Sequence, residues 1–562
     1  MYKSHLKHQL MKYPALLVFG MLISSFVGLI PWIEILEKNP NEATDEYLAM
    51  QRVRENHAIY AYHLNQHEYT FEYKNMPAGS KPIQSLTIST FPHYLFNKLL
   101  GLNGIILFHG IANILIFIII YSIWRAFDVQ KPHSILFALA FSSQFIFYLL
   151  SSLRQLSVNF IELYPFQFKL GVICVFIVSI YTLLQTFYKQ KQSHIIYSLL
   201  AILCCIIAIH FQHYWNYFRD PRPFSTQIYN YTWILGLVLI FKKRPSGLLL
   251  CAFSAAILGQ SDPFTFVPLC LVSVITIIFA RFWSFCSLKY ILGSIALFIV
   301  MILPMTINQI YITQSNFAGT FPLTNITSET AFQYLDKKHY YSLIFIFISF
   351  TLLVYVHRPF KYLSPLLLNI VATFFTLPIL YFTIGKFVQA WHYWLMNPAS
   401  VTLYASFALP AALLIFYKSI HELIQRKGNH NVLDVYQIQA NKSHTPYSSS
   451  PLPIAFAIYL LGITTVVSSI NHMPEEKSLD KKTLALIELT AELKKPEYSG
   501  KVLGTSDHEI MWYWSVLGNP SLNPSPISGI PISELKDRFA YFSSLFTRDI
   551  EALKQWLLNH GE

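Results

Sequence analysis

Along this chain, run after run of about 20 apolar residues is closed by a short cap of lysine and arginine. Hydrocarbon offers no partner for a backbone amide or carbonyl, so a segment that crosses it must satisfy those groups internally, as a helix does. The runs fall near 13–33, 102–124, 133–150, 169–187, 194–211, 226–241, 246–260, 265–280, 289–312, 340–356, 363–384, 399–417 and 452–470. They predict an all-α polytopic membrane protein with about 13 transmembrane helices. Only 12% of the residues are charged, against about 25% in an ordinary soluble domain. The formal net charge of +12 could suit nucleic acid, but the cations sit in the caps, where they set topology instead.

The caps alternate. Lys3, Lys7 and Lys12; Arg125 and Lys131; Lys189 and Lys191; Lys242, Lys243 and Arg244; Arg281 and Lys289; Arg358 and Lys361; and Lys418, Arg426, Lys427 and Lys442 all fall on one side. The positive-inside rule assigns that side to the cytoplasm, with the N-terminus. An odd number of spans then puts the C-terminus outside. The first run, Tyr13 to Trp32, ends in Ile33-Glu34 with no small-x-small cleavage pattern, so a retained helix is expected rather than a signal peptide. Residues 1–470 read as a transmembrane domain with a first extracytoplasmic loop at 34–101. Residues 471–562 read as a small soluble α/β domain outside the membrane, with helices near 480–494 and 507–517 and a strand at Lys501–Leu503. The loop 418–450 ends in a Ser-rich polar stretch that predicts mobility.

All six cysteines lie in or beside apolar runs, so they read as small core residues rather than a disulfide or metal framework. No phosphate-binding glycine loop, GxSxG, HExxH or dinucleotide fingerprint is present. Asn230-Tyr231-Thr232 and Asn325-Ile326-Thr327 match glycosylation acceptors, a pattern short enough to recur by chance.

Residues fit for chemistry gather on the outer side. In the first loop, Thr44 can cap a helix that opens on Asp45 and Glu46, acids that a helix dipole favours. Asp45 can equally serve as a general base at a membrane-surface cavity. Phe91–Leu100, with His93, reads as an amphipathic helix lying on the membrane before the second span. Between the fifth and sixth runs, Arg219 and Arg222 stand among aromatics and prolines. A guanidinium presents donors suited to phosphate oxygens, though two such residues also serve as plain interfacial anchors. Arg154, near the outer end of the third run, is a further phosphate candidate. Asp262, at the Ser261-Asp262-Pro263 break, is a turn residue or a second acid of the same cavity, and His392 in Trp391-His392-Tyr393-Trp394 belongs to an aromatic belt or a substrate wall. His210 and His213 make a His-x-x-His pair without acidic company, a weak metal signal.

The arrangement resembles the GT-C superfamily of membrane glycosyltransferases. A first span leads into a long outer loop; that loop carries Asp45-Glu46-Tyr47, similar to an Asp-Glu-Tyr pattern of several mannosyltransferase branches; it closes on the surface helix Phe91–Leu100; and the Arg-Asp-Pro-Arg-Pro-Phe-Ser stretch at 219–225 is similar to the Pro-rich stretch before a central span in bacterial members. The preceding His-Pro of the closest acidic pattern is missing, and Glu34, Glu37 and Glu42 compete for the role of base. The resemblance implies an inverting transfer from a polyprenyl-phosphate-linked sugar to a glycan, lipid or protein acceptor at the outer face of the membrane; Lys and Ile richness without a eukaryotic sorting motif points to a bacterial inner membrane. It implies Asp45 as base with Glu46 as rival, and Arg219, Arg222 or Arg154 on the donor phosphate. Tyr47, His93, Asp262 and His392 would line the cavity. No cofactor is required, since cations can stabilise a phosphate leaving group, although a divalent metal is compatible with the chemistry. Expected partners are the lipid-linked sugar, the acceptor and membrane lipids, not nucleic acid. The competing expectation is a transporter, flippase or assembly factor for lipid-linked glycans.

Overall fold

The computed structural model describes residues 14–29, 102–142, 145–187, 194–211, 226–261, 286–314, 337–356, 363–371 and 401–429, with short pieces at 95–96, 99–100, 270, 273–275, 277–278, 317–318, 323–325, 386–388, 457–458, 460–461, 530–531, 551 and 555. The described chain is overwhelmingly helical. Its helices are α1 (Pro14–Leu29), α2 (Leu102–Ala126), α3 (Lys131–Ser142), α4 (Phe145–Leu163), α5 (Pro165–Phe187), α6 (His194–Phe211), α7 (Thr226–Phe241), α8 (Ser246–Ser261), α9 (Leu288–Gln314), α10 (Lys337–Val356), α11 (364–371) and α12 (Val401–Asn429).

Among the described residues, four segments are long and apolar enough to cross a membrane: Leu107–Ala126, Pro165–Gln185, His194–Phe211 and Leu403–His421. Pro14–Leu29, Ile228–Phe241, Ser246–Leu258, Leu288–Leu303 and Tyr340–Val354 are shorter apolar helices. The chain is a helical membrane protein. The expected helices at 194–211 and 226–241 begin and end where the sequence places them.

Two expectations need correction. The run at 133–150 belongs to two helices, α3 and α4, and α4 continues to Leu163. Leu156, Phe160 and Leu163 alternate there with polar residues, so hydropathy alone ends the run too early. The loop expected from 418 is helical through Asn429, because α12 carries its hydrogen-bond ladder past the apolar stretch. Its Ser-rich part, and the helices and strand expected at 480–517, lie outside the described residues.

Helix α6 is the hub, packed against α10, α12, α4 and α5. Apolar side chains gain little from leaving lipid for a helix interface, so close contact and interhelical hydrogen bonds do more of the work there. On α10, Ser342 and Ser349 donate to the α6 carbonyls of Ala208 (2.6 Å) and Ala201 (3.0 Å). Cys205 meets the Ser349 hydroxyl at 3.1 Å, and Cys204 meets Ser179 of α5 at 3.5 Å. All six cysteines are free. Asn369 donates to the Tyr404 hydroxyl at 2.5 Å, tying α11 to α12.

A second set joins α2, α7, α8 and α9. A Cβ on Gly247 would overlap the carbonyl of Gly236, so the contact between α7 and α8 needs a residue without a side chain there. Gly28 of α1 lies equally close to Asn113 of α2. Aromatic rings join the sets: Trp124 packs on Phe137 (4.6 Å between centroids) and Phe407 (5.8 Å), and Phe407 on Phe141 (5.0 Å). Asn230-Tyr231-Thr232 is buried within α7, a position no glycan could occupy, so that acceptor match is coincidental.

The turns are built alike. Helix α2 ends with Asp128 in the left-handed region (φ 59°), its amide on the Arg125 carbonyl (3.0 Å) and the Val129 amide on Trp124 (3.2 Å). Helix α7 ends with Lys243 at φ 59°, its amide on Ile240 and the Arg244 amide on Leu239, both at 2.9 Å. Both are Schellman closures, which satisfy the last carbonyls of a helix. Lys242 reaches Asp128 at 2.6 Å and holds the two turns at one end of the bundle.

Among the described residues, four short strands relate distant segments. The strands are β1 (Phe317–Ala318), β2 (Leu323–Asn325), β3 (Lys386–Val388) and β4 (Ile530–Pro531). Antiparallel pairing sets Leu323 opposite Val388 and Asn325 opposite Lys386. It also sets Phe317 opposite Pro531 and Ala318 opposite Ile530. The connection after α9, the segment before α12 and part of the C-terminal tail therefore share one side. The tail's described strand pairs with the connection after α9, not with another strand of the tail.

Candidate functional site

Among the residues read as functional, Arg154 is the one whose surroundings are described. Asp45, Glu46, Tyr47, His93, Arg219, Arg222, Asp262 and His392 lie outside the described residues. Part of the surface helix expected at 91–100 is described: 95–96 and 99–100 are helical, Leu95, Leu99 and Leu100 are exposed, and Phe96 packs on Phe108 at 5.4 Å.

Arg154 lies half-buried on α4. One turn later the Ser157 hydroxyl donates to the Arg154 carbonyl at 2.6 Å. The same oxygen lies 3.0 Å from Nδ1 of His210, in the last turn of α6. With the serine proton committed to the carbonyl, Ser157 accepts from Nδ1–H. That tautomer leaves the lone pair of His210 on Nε2. The ring is held edge-on by Phe168 of α5 (4.9 Å) and by Phe211 (5.2 Å).

Helix α4 thus brings a guanidinium-bearing residue and a hydroxyl, and α6 an imidazole, to one cluster, with Phe168 of α5 against the ring. The chain leaves His210 directly into the stretch that carries Arg219 and Arg222. A cation beside an apolar helix end is costly unless an anion or ordered dipoles compensate it. Guanidinium donors are matched to phosphate oxygens, and a neutral imidazole can donate or accept beside them.

The pairing of Ser157 with His210 was not legible in the sequence. Fifty-three positions separate the two, and a serine within an apolar run carries no pattern of its own. His213, the other half of the His210–His213 pair, lies outside the described residues. Among the described residues no group of three metal-ligating side chains forms.

The fold and this cluster define a helical membrane protein with a polar corner at one end of an apolar bundle. No family model, curated protein or solved structure matches the chain.

Proposed function

We propose that this protein is an inverting, GT-C-like glycosyltransferase. It would move a sugar from a polyprenyl-phosphate donor to an envelope glycan, lipid or protein acceptor at the outer face of the inner membrane. The observation that carries this proposal is the placement of Arg154 beside the Ser157–His210 pair, at the point where the chain enters the Arg219–Arg222 stretch. The Ser157 bond is to the Arg154 backbone, so the cationic corner for the donor phosphate rests on Arg154 being one turn from Ser157 on α4 and on its guanidinium chemistry.

In the proposed reaction an acceptor hydroxyl oxygen forms the new bond to the anomeric carbon. The bond from that carbon to the phosphate oxygen breaks. Asp45, with Glu46 as the rival, takes the hydroxyl proton. Polyprenyl phosphate leaves with its negative charge held by Arg154, Arg219 and Arg222, and no metal is demanded. Tyr47, His93, Asp262 and His392 would surround the sugars. About 13 spans, a cytoplasmic N-terminus and an extracytoplasmic α/β tail at 471–562 complete the proposed topology.

The distribution of charge favours an enzyme over a transporter. A transporter or flippase would carry paired ionisable groups at mid-membrane depth. Helices α6, α7 and α8 contain no lysine, arginine, aspartate or glutamate.

The test is transfer of radiolabelled sugar from polyprenyl-phosphate donors in proteoliposomes. Asp45→Asn and Arg154→Gln should each reduce transfer at least a hundredfold while the protein folds normally. Full activity in Asp45→Asn removes the base. Movement of lipid-linked glycan across the bilayer without any transfer would favour a flippase instead.

A further inference from the structure

The end of the bundle that carries the turns after α2 and α7 holds a feature that sugar transfer does not use. Arg125 and Lys131 flank the turn between α2 and α3, and Lys242, Lys243 and Arg244 form the turn between α7 and α8. Asp128 is the one acid on the two turns, and it lies 2.6 Å from Lys242. Lys242 is only 16% exposed, so its ammonium is committed to that pair. Arg125 is committed as well, donating to the Val129 carbonyl within its own turn. Lys131, Lys243 and Arg244 remain exposed, with no acid paired to them among the described residues. On α12, Lys418 lies within electrostatic reach of His133 in the first turn of α3, which adds another cation to the same end.

The geometry is fixed rather than incidental. Both turns are Schellman closures with a left-handed residue at the same position, and the Lys242–Asp128 pair bolts one to the other. Both turns close apolar helices, α2 and α7, and a bilayer around those helices would meet the exposed cations where hydrocarbon gives way to headgroups. A cation at that depth meets lipid phosphate before it meets any soluble partner, and each one near an anionic surface adds measurably to binding.

We propose that the two clasped turns form a binding site for the headgroup of an anionic phospholipid, with Lys243 and Arg244 on the phosphate oxygens and Lys131 at the flank. The Asp128–Lys242 pair does not touch the lipid; it positions the turns. The site is independent of the transferase proposal and stands or falls without it.

The test uses the full chain reconstituted in phosphatidylcholine vesicles with trace spin-labelled lipid. Spin-labelled phosphatidylglycerol should be retained at the protein surface over spin-labelled phosphatidylcholine, and 1 M salt, where the Debye length falls to about 3 Å, should erase the preference. The double substitution Lys243→Gln and Arg244→Gln should weaken the preference by about fivefold per cation removed. Arg244→Lys should retain most of it. Equal retention of the two lipids by the unmodified protein overturns the proposal, and so does an undiminished preference in the double variant. Displacement of the labelled phosphatidylglycerol by millimolar inorganic phosphate would assign the site to free phosphate and overturn the lipid assignment. The salt titration on the unmodified chain keeps the test decisive if the double variant fails to fold.

Discussion

Lys242 and Asp128 stand 114 positions apart in sequence and 2.6 Å apart in space, each in a turn that closes a helix with a Schellman motif. The pair is asymmetric: Lys242 is largely covered while Asp128 is 56% exposed. Water therefore screens it in part, and a pair of this kind contributes about 0.5–1 kcal/mol. Asp128→Asn should lower the midpoint of thermal unfolding in detergent by a corresponding few degrees. The exchanged pair Asp128→Lys with Lys242→Asp should recover at least half of the loss. No recovery would show that the two turns are held by their backbone alone.

Contact between α1 and α2 should be sensitive to a single methyl group. A Cβ at Gly28 would overlap Asn113 and come within 3.2 Å of the His109 carbonyl. Gly28→Ala should therefore cost about 1–3 kcal/mol, as overpacking does in cores. Gly171→Ala, where no atom lies within 4 Å, should be neutral or slightly stabilising. Chemical denaturation of the two variants side by side checks the contrast.

The rungs between α6 and α10 give a subtler expectation. Replacing Ser342 or Ser349 by alanine removes a bond to the Ala208 or Ala201 carbonyl. Interhelical bonds in membranes average about 0.6 kcal/mol, so each change should be small and the double change close to additive. A loss above about 2 kcal/mol for one serine would point instead to a buried donor left unsatisfied.

Strand pairing makes a prediction about the tail. Ala318 and Ile530 are opposed in register. With the native cysteines replaced, Ala318→Cys and Ile530→Cys should form a disulfide on mild oxidation, seen as a crosslinked fragment after proteolysis between them. A pair one residue out of register, Ala318→Cys with Pro531→Cys, should crosslink far less. Equal crosslinking in both would mean that the tail does not hold this register.

At the Arg154 corner, Ser157→Ala should act through His210 without touching the sugar. It removes the acceptor at Nδ1, freeing the imidazole to turn on its Phe168 edge. In the donor-transfer assay it should raise the KM for lipid-linked sugar by about threefold to tenfold with a smaller change in kcat, the signature of lost ground-state positioning. An unchanged KM would place the pair outside the donor site.

Much of the helical scaffold was readable from residue type. His194–Phe211 and Thr226–Phe241 match their apolar runs end for end, because a backbone in hydrocarbon must close its hydrogen bonds locally and hydropathy follows composition. Where an amphipathic stretch succeeded an apolar one, as in α4 beyond Leu150 or α12 beyond Tyr417, the reading stopped short. Hydropathy reports solvent preference, and a helix can outlast it.

Which helix touches which was a different matter. Lys242 has many acids in reach of a flexible chain, and Ser157 many histidines. Only the packing of α2 on α7 and of α4 on α6 selects Asp128 for the first and His210 for the second. Local composition sets how each segment meets water or lipid, a property a segment has alone. Partnership between segments depends on shape and distance across the whole bundle, so it emerges only once the helices pack.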